Sequence, residues 1–479
     1  MNFKTRLFLI AVTFIGYFSA LQAQVNYIPL EMDTGYRPLG ILEPKTVHEI
    51  KADNLTVGCE VLDRDYTDYD EYKSYLPALG MKKIRLQGGW AKTEKVKGVY
   101  DFAWLDHIIN DATSRGMKVW LQTSYGNPIY QGGGTTNLGG GMPTSVEAKE
   151  AWNRWVKAMA TRYIGKVHEW EIWNEPDLSE SIPADDIVEM NIRTAEIIKG
   201  VDPDAKISGF AFCTLNGKLL EECLKLVQKA GKLGLFHWIS YHGYEYRPEN
   251  SYKAVMNFRR IIDKYSKDIK LRQGENGAPS KGYMGGALDK YDWTELSQAK
   301  WDLRRLIGDH GHDVESSVFS IIDMAYPPGE NKYVPKLNVK GLIESNNDKK
   351  ALRTKLAYRA VQHYATLFDN LSDRIKEYNF QSKNKEDLAN YLYKNDQGIY
   401  SFLIWNQTEA PLNENKIQQI DFTLTDCSFT TPVWIDLLTG GIYEIPVELY
   451  TRKGNTYIFK NVPVYDSPVM ITDKNILNR

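Results

Sequence analysis

Two glutamates in this 479-residue chain each follow a short apolar run that is typical of a buried strand. Glu175 lies in Trp-Glu-Ile-Trp-Asn-Glu-Pro at 170–176, and Glu275 lies in Leu-Arg-Gln-Gly-Glu-Asn-Gly at 271–277. Two carboxyl groups held about 5–5.5 Å apart can share a displacement at an acetal carbon, in which one attacks the carbon and the other protonates the leaving oxygen. Asn-Glu-Pro alone is a weak signal, because asparagine and proline also open ordinary helices. The pair indicates this chemistry only if the fold brings the two strand ends together.

The elements around these glutamates alternate between short apolar runs and amphipathic stretches from about residue 53 onward. The predicted strands are Leu55–Leu62, Lys83–Leu86, Lys118–Thr123, Val167–Trp173, Lys206–Phe212, His237–Tyr241, Ile269–Arg272 and Val318–Ile322. The predicted helices are Phe102–Ser114, Val146–Tyr163, Ile187–Lys199, Leu219–Ala230, Tyr252–Lys264, Thr294–Ile307 and Lys350–Phe368. This alternation predicts an α/β fold of the (β/α)₈ TIM-barrel type, in which both glutamates end strands at the catalytic mouth.

An open doubly wound sheet is the alternative architecture for such an alternation. It would require a glycine-rich phosphate-binding turn after an early strand. The glycine clusters at 132–134 and 139–141 instead lie in a long loop with no matching helix start. The barrel is therefore favoured.

The pattern changes after the last barrel helix. Short alternating strands are predicted at Leu388–Tyr393, Ile399–Trp405, Ile417–Leu424, Pro432–Leu437, Tyr457–Phe459 and Val469–Thr472. We therefore predict a signal peptide at 1–23, an N-terminal segment at 24–52, the barrel at 53–372 and a β-sandwich at 373–479. The segment 24–52 either adds a strand to the sandwich or caps the barrel floor.

At the N-terminus, Lys4 and Arg6 precede an apolar run from Leu7 to Leu21, with Ala23 at the expected cleavage site. This pattern is typical of a secretory signal peptide and predicts a protein exported to the periplasm or secreted. No later stretch is long and apolar enough to predict membrane insertion.

The composition excludes several classes of partner. Lys and Arg number 59 against 61 Asp and Glu, so there is no basic footprint for nucleic acid. The four cysteines are too few for a disulfide scaffold, and Cys213 and Cys223 are as compatible with a bridge as with free thiols. No cysteine pair has zinc-ligand spacing, so no metal and no cofactor are expected, and the oligomeric state stays open.

The chain resembles clan A of the glycoside hydrolases, which are retaining enzymes on (β/α)₈ barrels, and families 39, 30 and 5 in particular. The resemblance rests on Trp-Glu-Ile-Trp-Asn-Glu-Pro at 170–176, Gly-Val-Tyr-Asp-Phe at 98–102 with Arg-Gly-Met-Lys at 115–118, and Ser-Tyr-His-Gly-Tyr at 240–244. An appended β-sandwich is also similar to families 39 and 30.

The resemblance implies a role for each matching site residue. By it, Glu175 is the acid/base, Glu275 the nucleophile, Asn174 the partner of the sugar 2-hydroxyl, Arg85 a support for the nucleophile, His242 a residue lining the site, and Tyr244 a hydrogen-bond donor to Glu275.

Two departures from the clan bear on which sugar binds. After the eighth strand, Tyr326 is the only ring available where the clan often has a tryptophan, and no histidine follows the third strand. Trp90 and Tyr125 close the second and third strands and are candidates for stacking on sugar rings, although plain packing explains them equally well. Glu171 alternates onto the same strand face as Glu175, and we expect it to form a buried ion pair with Arg85 or another cation on a strand.

The sequence thus predicts an exported retaining O-glycoside hydrolase that acts on oligosaccharides or polysaccharides of plants or microbes. Exo-action on β-linked xylose, galactose or glucose is favoured by analogy with family 39. The alternatives are an endo-acting glucanase or mannanase, and a non-catalytic glycan-binding protein on the same barrel.

Overall fold

The computed structural model describes residues 33–178, 182–327, 336–369 and 373–477, so the predicted signal peptide lies outside the described residues. Strand β1 (Arg37–Ile41) precedes a closed parallel barrel of eight strands. The barrel strands are β2 (Leu55–Gly58), β3 (Lys83–Gln87), β4 (Lys118–Thr123), β5 (Val167–Ile172), β6 (Lys206–Phe212), β7 (Trp238–Tyr241), β8 (Lys270–Asn276) and β9 (Glu315–Val318). Pairing of Val57 with Val318 joins β2 to β9 and closes the ring. The predicted TIM barrel is confirmed.

Helices cover the outside of the barrel. They are α1 (Tyr69–Tyr72), α2 (Leu76–Leu79), α3 (Trp90–Thr93), α4 (Ala103–Ser114), α5 (Val146–Arg162), α6 (Ala184–Val201), α7 (Gly217–Lys229), α8 (Tyr252–Asp263), α9 (Glu295–His310) and α10 (Leu356–Phe368). Helix α5 shows why they form, because the Ser145 side chain caps its first turn and its tryptophans at 152 and 155 are buried on one face. None of the helices in the described ranges combines the length and apolar character that a membrane span requires.

Two small hairpins follow the barrel strands, and an antiparallel region completes the chain. The hairpins pair β10 (Met324–Ala325) with β11 (Leu337–Asn338) and β12 (Ile343–Ser345) with β13 (Ala351–Thr354). The later strands are β14 (Asp373–Ile375), β15 (Phe380–Ser382), β16 (Leu388–Lys394), β17 (Tyr400–Asn406), β18 (Gln418–Thr425), β19 (Pro432–Asp436), β20 (Gly441–Glu444), β21 (Tyr450–Lys453), β22 (Thr456–Val464) and β23 (Val469–Asp473).

These later strands form two facing sheets. One has the order β1-β20-β19-β23-β17-β16-β14 and the other β15-β18-β22-β21. Phe402 of the first sheet and Phe422 of the second lie with ring centroids 5.4 Å apart, so the apolar faces pack against each other as in a sandwich. The β-sandwich prediction is confirmed. The N-terminal segment contributes β1 to the seven-stranded sheet, which decides between the two alternatives left by the sequence.

Several predicted element boundaries are wrong, since the first strand ends at Gly58 instead of Leu62 and the seventh at Asn276 instead of Arg272. The eighth barrel strand was predicted at Val318–Ile322 but lies at Glu315–Val318, because the buried serines at 316 and 317 pair with barrel neighbours although they are not apolar. The last barrel helix was predicted from Lys350 but begins at Leu356. Residues Ala351–Thr354 form β13 instead, where Arg353 bonds Glu295 of α9.

A buried histidine, His363, and a half-buried one, His310, lie where the barrel helices meet the sandwich. His363 of α10 bonds the Leu437 carbonyl oxygen through Nδ1 at 3.0 Å, and His310 of α9 bonds the Tyr364 hydroxyl at 2.9 Å. Burial lowers the pKa of each histidine to about 4. Both are therefore neutral in the folded protein at neutral pH.

We expect these histidines to make the folded protein sensitive to acid. Between about pH 6.5 and pH 4 the unfolded chain binds more protons at these positions than the folded one, so stability falls as the pH falls through that window. A pKa difference of about 2.5 between the folded and unfolded states lowers the free energy of unfolding by about 3 kcal/mol per histidine once the pH is below both pKa values. In thermal melts, the Tm advantage of the wild type over His363→Gln should therefore narrow from pH 7 to pH 4. His168→Gln, at an exposed position, is the matched control and should show no such narrowing.

Candidate active site

Glu175 lies in the turn that leaves β5. Its backbone has a positive φ of 49°, as does Trp173 with 60°, and its N–H donates to the Ala211 carbonyl oxygen at 3.0 Å. Non-glycine residues adopt this conformation only where the surrounding structure holds them there, and such positions cluster at functional sites. The turn places the Glu175 side chain, which is 7% exposed, at the barrel mouth.

Glu275 is the penultimate residue of β8 and lies opposite Glu175. The Tyr244 hydroxyl donates to its Oε1 at 3.0 Å, and Arg85 Nη1 donates to its Oε2 at 3.2 Å. One oxygen of Glu175, one of Glu275 and one ring nitrogen of His242 all lie within 4.8 Å of one another. The two strand ends, one hundred positions apart in sequence, therefore bring their carboxyl groups together.

Opposing effects act on the ionisation of Glu275. Burial would raise the pKa of its carboxyl group, but the charges of His242 and Arg85 and the Tyr244 hydrogen bond together lower it below the usual value. Burial also raises the pKa of Tyr244 well above its usual range, so its hydroxyl remains a donor. Glu275 is thus held as a carboxylate, the form that a nucleophile requires.

Arg85 joins the acidic groups below the mouth. Its guanidinium is fully buried and donates to Glu171 at 2.7 Å through Nε and to Glu60 at 2.9 Å through Nη1. Through Nη2 it donates to the Asn174 side-chain oxygen at 3.0 Å. The predicted Arg85–Glu171 ion pair is confirmed, and the guanidinium also contacts Glu275 as the resemblance implied.

Asn174 is held in one orientation by its neighbours. Its oxygen accepts from Arg85 and from Gln122, the latter at 3.1 Å, and its nitrogen donates to the Tyr125 hydroxyl at 2.9 Å. Gln122 of β4 also donates to Glu171 at 2.8 Å. This hydrogen-bonded layer fixes the residue next to Glu175.

His242, which follows β7, bonds Glu175. Its Nδ1 lies 2.6 Å from Glu175 Oε1 and 3.8 Å from Glu275 Oε2, and the side chain is fully buried. Burial would lower the pKa of His242, but the two carboxylates raise it above the ordinary value. A proton on Nδ1 therefore stabilises a negative charge on Glu175.

A cleft of about 750 Å³ opens over the two glutamates. Its lining includes Glu175, Glu275, Tyr244, Phe319, Tyr326 and Lys340. The remaining lining residues are Leu138, Gly139, Leu178, Cys213, Gly285, Gly286, Ala287, Asp289, Lys290 and Asn338. Clefts of roughly 300–1,000 Å³ are typical of small-ligand sites.

The comparisons with known proteins bear on the enzyme class and on the fold. The family model described as glycosyl hydrolases family 39 matches residues 51–272, which include the Glu175 motif. The chain is a glycoside hydrolase. None of the curated proteins matches this glycoside hydrolase significantly.

Solved structures resemble this glycoside hydrolase over most of its length. A family 39 glycoside hydrolase from the gut symbiont Bacteroides cellulosilyticus WH2 has a TM-score of 0.63 at 16% identity, covering 90% of this chain and 82% of that one. A monomeric beta-xylosidase from Caulobacter crescentus CB15 has a TM-score of 0.56 at 14% identity, covering 91% and 97%. A GH30 endoxylanase from Clostridium papyrosolvens C71 has a TM-score of 0.54 at 10% identity, covering 92% and 98%. At these identities the likeness shows the fold.

The prediction that Trp90 stacks on a sugar ring is wrong. In this glycoside hydrolase the Trp90 ring is fully buried. It stacks on the rings of Tyr130 and Trp155, with centroid distances of 5.5 Å and 6.0 Å respectively. Tyr125 is also buried, and its hydroxyl oxygen accepts a hydrogen bond from Asn174. Tyr326, by contrast, lies in the cleft wall with its ring 4.9 Å from that of Tyr66. Of the three candidate rings, only Tyr326 reaches the cleft.

Two charged residues of the glycoside hydrolase site were missed in the sequence. Glu60 follows β2 and bonds Arg85, and the available signal was that it is the only charged residue within the predicted strand Leu55–Leu62. Lys340 lines the cleft 5.4 Å from the centre of the Tyr244 ring, and burial lowers its pKa to about 7. No periodicity marks Lys340, because it follows the short strand β11 outside the barrel repeat. The four cysteines, including Cys213 and Cys223, are free thiols.

Proposed function

We propose that this glycoside hydrolase cleaves O-glycosidic bonds with retention of configuration, with Glu275 as nucleophile and Glu175 as acid/base. The observation that carries the proposal is the pair of carboxyl groups facing each other across the mouth, with oxygens within 4.8 Å. Oxygens this close support a retaining arrangement, in which the carboxyl groups lie about 5–5.5 Å apart, over an inverting one, in which roughly 6.5–9.5 Å admits a water molecule.

In the first step, a Glu275 oxygen attacks the anomeric carbon while Glu175 transfers its proton to the leaving oxygen. The bond to the leaving group breaks, and a glycosyl ester forms on Glu275. His242 Nδ1, 2.6 Å from Glu175, stabilises the carboxylate that results. In the second step, Glu175 takes a proton from water, whose oxygen attacks the same carbon and releases Glu275.

The neighbouring residues orient the nucleophile and the sugar. Tyr244 and Arg85 bind opposite oxygens of Glu275 and fix its direction of attack. We propose that Asn174, held by Arg85, Gln122 and Tyr125, binds the sugar 2-hydroxyl and that Tyr326 offers a ring for the sugar face.

We further propose exo-action on a terminal β-linked xylose, galactose or glucose of plant or microbial glycans, by a protein exported through its signal peptide. A cleft of about 750 Å³ suits a few sugar rings better than a long polymer. The structural relative from Caulobacter crescentus is named as a beta-xylosidase, which supports xylose among the candidates.

A panel of glycans and aryl glycosides with product analysis tests these proposals together. Release of single sugars with retained configuration is the expected result. Release of oligosaccharides from within a chain would favour the endo-acting glucanase or mannanase. Binding without turnover, unchanged in Glu175→Gln and Glu275→Gln, would favour the glycan-binding alternative.

A further inference from the structure

A third carboxyl group competes with the nucleophile for the same nitrogen of Arg85. Glu60 Oε1 accepts from Arg85 Nη1 at 2.9 Å, and that nitrogen also donates to Glu275 Oε2 at 3.2 Å. The Glu60 side chain is 1% exposed, whereas that of Glu275 is 14% exposed and faces the cleft. Glu60 therefore lies directly behind the nucleophile and does not line the cleft in which substrate would bind.

The backbone of β2 makes room for this carboxyl group. A Cβ atom on Gly58 would lie 2.1 Å from Glu60 Oε2, so any larger residue would displace the carboxyl. Oε2 itself is buried and has no hydrogen-bond partner among the described residues. One oxygen of the Glu60 carboxyl group is thus hydrogen-bonded to Arg85, and the other has no polar partner among the described residues.

One guanidinium group, that of Arg85, forms ion pairs with three carboxyl groups. Arg85 bonds Glu60, Glu171 and Glu275, and a single positive charge cannot compensate three buried negative ones. Burial raises the pKa of Glu60 to about 7, an effect that Arg85 opposes and Glu275 strengthens. A proton on Glu60 near neutral pH therefore relieves part of the excess negative charge around Arg85.

We propose that Glu60 is a positioning residue that sets the upper pH limit of catalysis by adding or withholding a negative charge beside Arg85. The proposal rests on the assignment of Glu275 and Glu175 as nucleophile and acid/base. The titratable groups that interact with Glu60 are Arg85 of β3, Glu275 of β8, Cys59 beside it, Tyr72 of α1, Tyr244 after β7 and Tyr326 after β10.

The two limbs of the rate–pH profile respond differently to this charge. At acidic pH Glu60 is protonated and uncharged, so Arg85 forms ion pairs only with Glu171 and Glu275. The acidic limb, on which Glu275 becomes ionised, therefore does not depend on Glu60. At higher pH Glu60 ionises, and its negative charge favours retention of the proton on the catalytic acid. The alkaline limb of the wild-type profile therefore lies at a higher pH than it would without the charge on Glu60.

The isosteric variant Glu60→Gln keeps the size of the side chain and removes the charge. In kcat/KM profiles on an aryl glycoside, its alkaline limb should move down by about 0.5–1 pH unit while its acidic limb stays in place. Glu409→Gln removes a charge at an exposed position and should leave both limbs unchanged. An alkaline limb that stays in place, or limbs that move together, would overturn the proposal.

A carboxyl titration by NMR provides a test that needs no turnover. In Glu175→Gln protein labelled with ¹³C at the glutamate carboxyls, one carboxyl should titrate close to pH 7, and adding Glu60→Gln should remove it. If Glu60→Gln does not fold, the labelled Glu175→Gln protein decides alone. Absence of a carboxyl titrating between about pH 6 and pH 8 would overturn the role of Glu60, whereas absence of wild-type turnover would overturn the proposed function.

Discussion

Replacing Glu275 with alanine is expected to abolish hydrolysis of aryl glycosides, with a loss of kcat/KM on the order of 10⁴-fold or more. The side chain that forms the covalent bond is absent in this variant. The measurement is kcat/KM on an activated aryl glycoside, with far-UV circular dichroism to verify folding.

Azide distinguishes loss of the nucleophile from loss of the fold. The space vacated by Glu275 lies between Tyr244 and Arg85, both of which favour an anion. Azide should attack the anomeric carbon from that side and yield a glycosyl azide of inverted configuration. Glu409→Ala is the control at an exposed carboxylate and should keep wild-type activity. Activity of Glu275→Ala close to wild type without azide would reject the assignment.

Replacing Glu175 with alanine is expected to separate good leaving groups from poor ones. General acid catalysis contributes about 10²–10⁴-fold, and it matters most for a leaving oxygen that cannot depart as an anion. The variant should therefore lose about 10³-fold or more on natural glycosides and far less in the formation of the glycosyl-enzyme from dinitrophenyl glycosides. The comparison is internal, because both substrates meet the same protein.

The acid/base role also predicts where the two steps separate. Without Glu175, the glycosyl ester on Glu275 forms from an activated substrate but reacts slowly with water, so a burst of phenol followed by slow turnover is expected. Equal losses on both substrate classes, with no burst, would assign the proton transfer to another residue. His242, whose Nδ1 lies 2.6 Å from Glu175 Oε1, would then be the first candidate.

The local sequence predicted most of the barrel because its signals are short in range. Apolar runs such as Lys118–Thr123 and amphipathic stretches such as Val146–Tyr163 are readable within single elements, and the structure places them within a residue or two. The eighth strand was misplaced because Ser316 and Ser317 are buried by pairing with barrel neighbours rather than by apolar character. Strand β13 was read as helix because its neighbour β12 is needed to define it.

Some residues of the candidate site could also be predicted from the local sequence, and others could not. Glu175 and Glu275 were identified from their motifs, and Glu171 from its alternation on β5. Trp90 was misread because an aromatic ring at a strand end packs or binds sugar according to what covers it, and here Tyr130 and Trp155 cover it.

The amino-acid pattern alone determined the barrel, the sandwich and the two carboxyl groups, because periodicity, strand ends and a seven-residue motif are properties of neighbouring residues. Tertiary structure alone decided that Glu60 shares Arg85 with Glu275, that Lys340 enters the cleft and that β1 joins the distant sheet. These contacts join residues far apart in the chain, and burial and charge compensation depend on every neighbour in space. No window of sequence contains those neighbours.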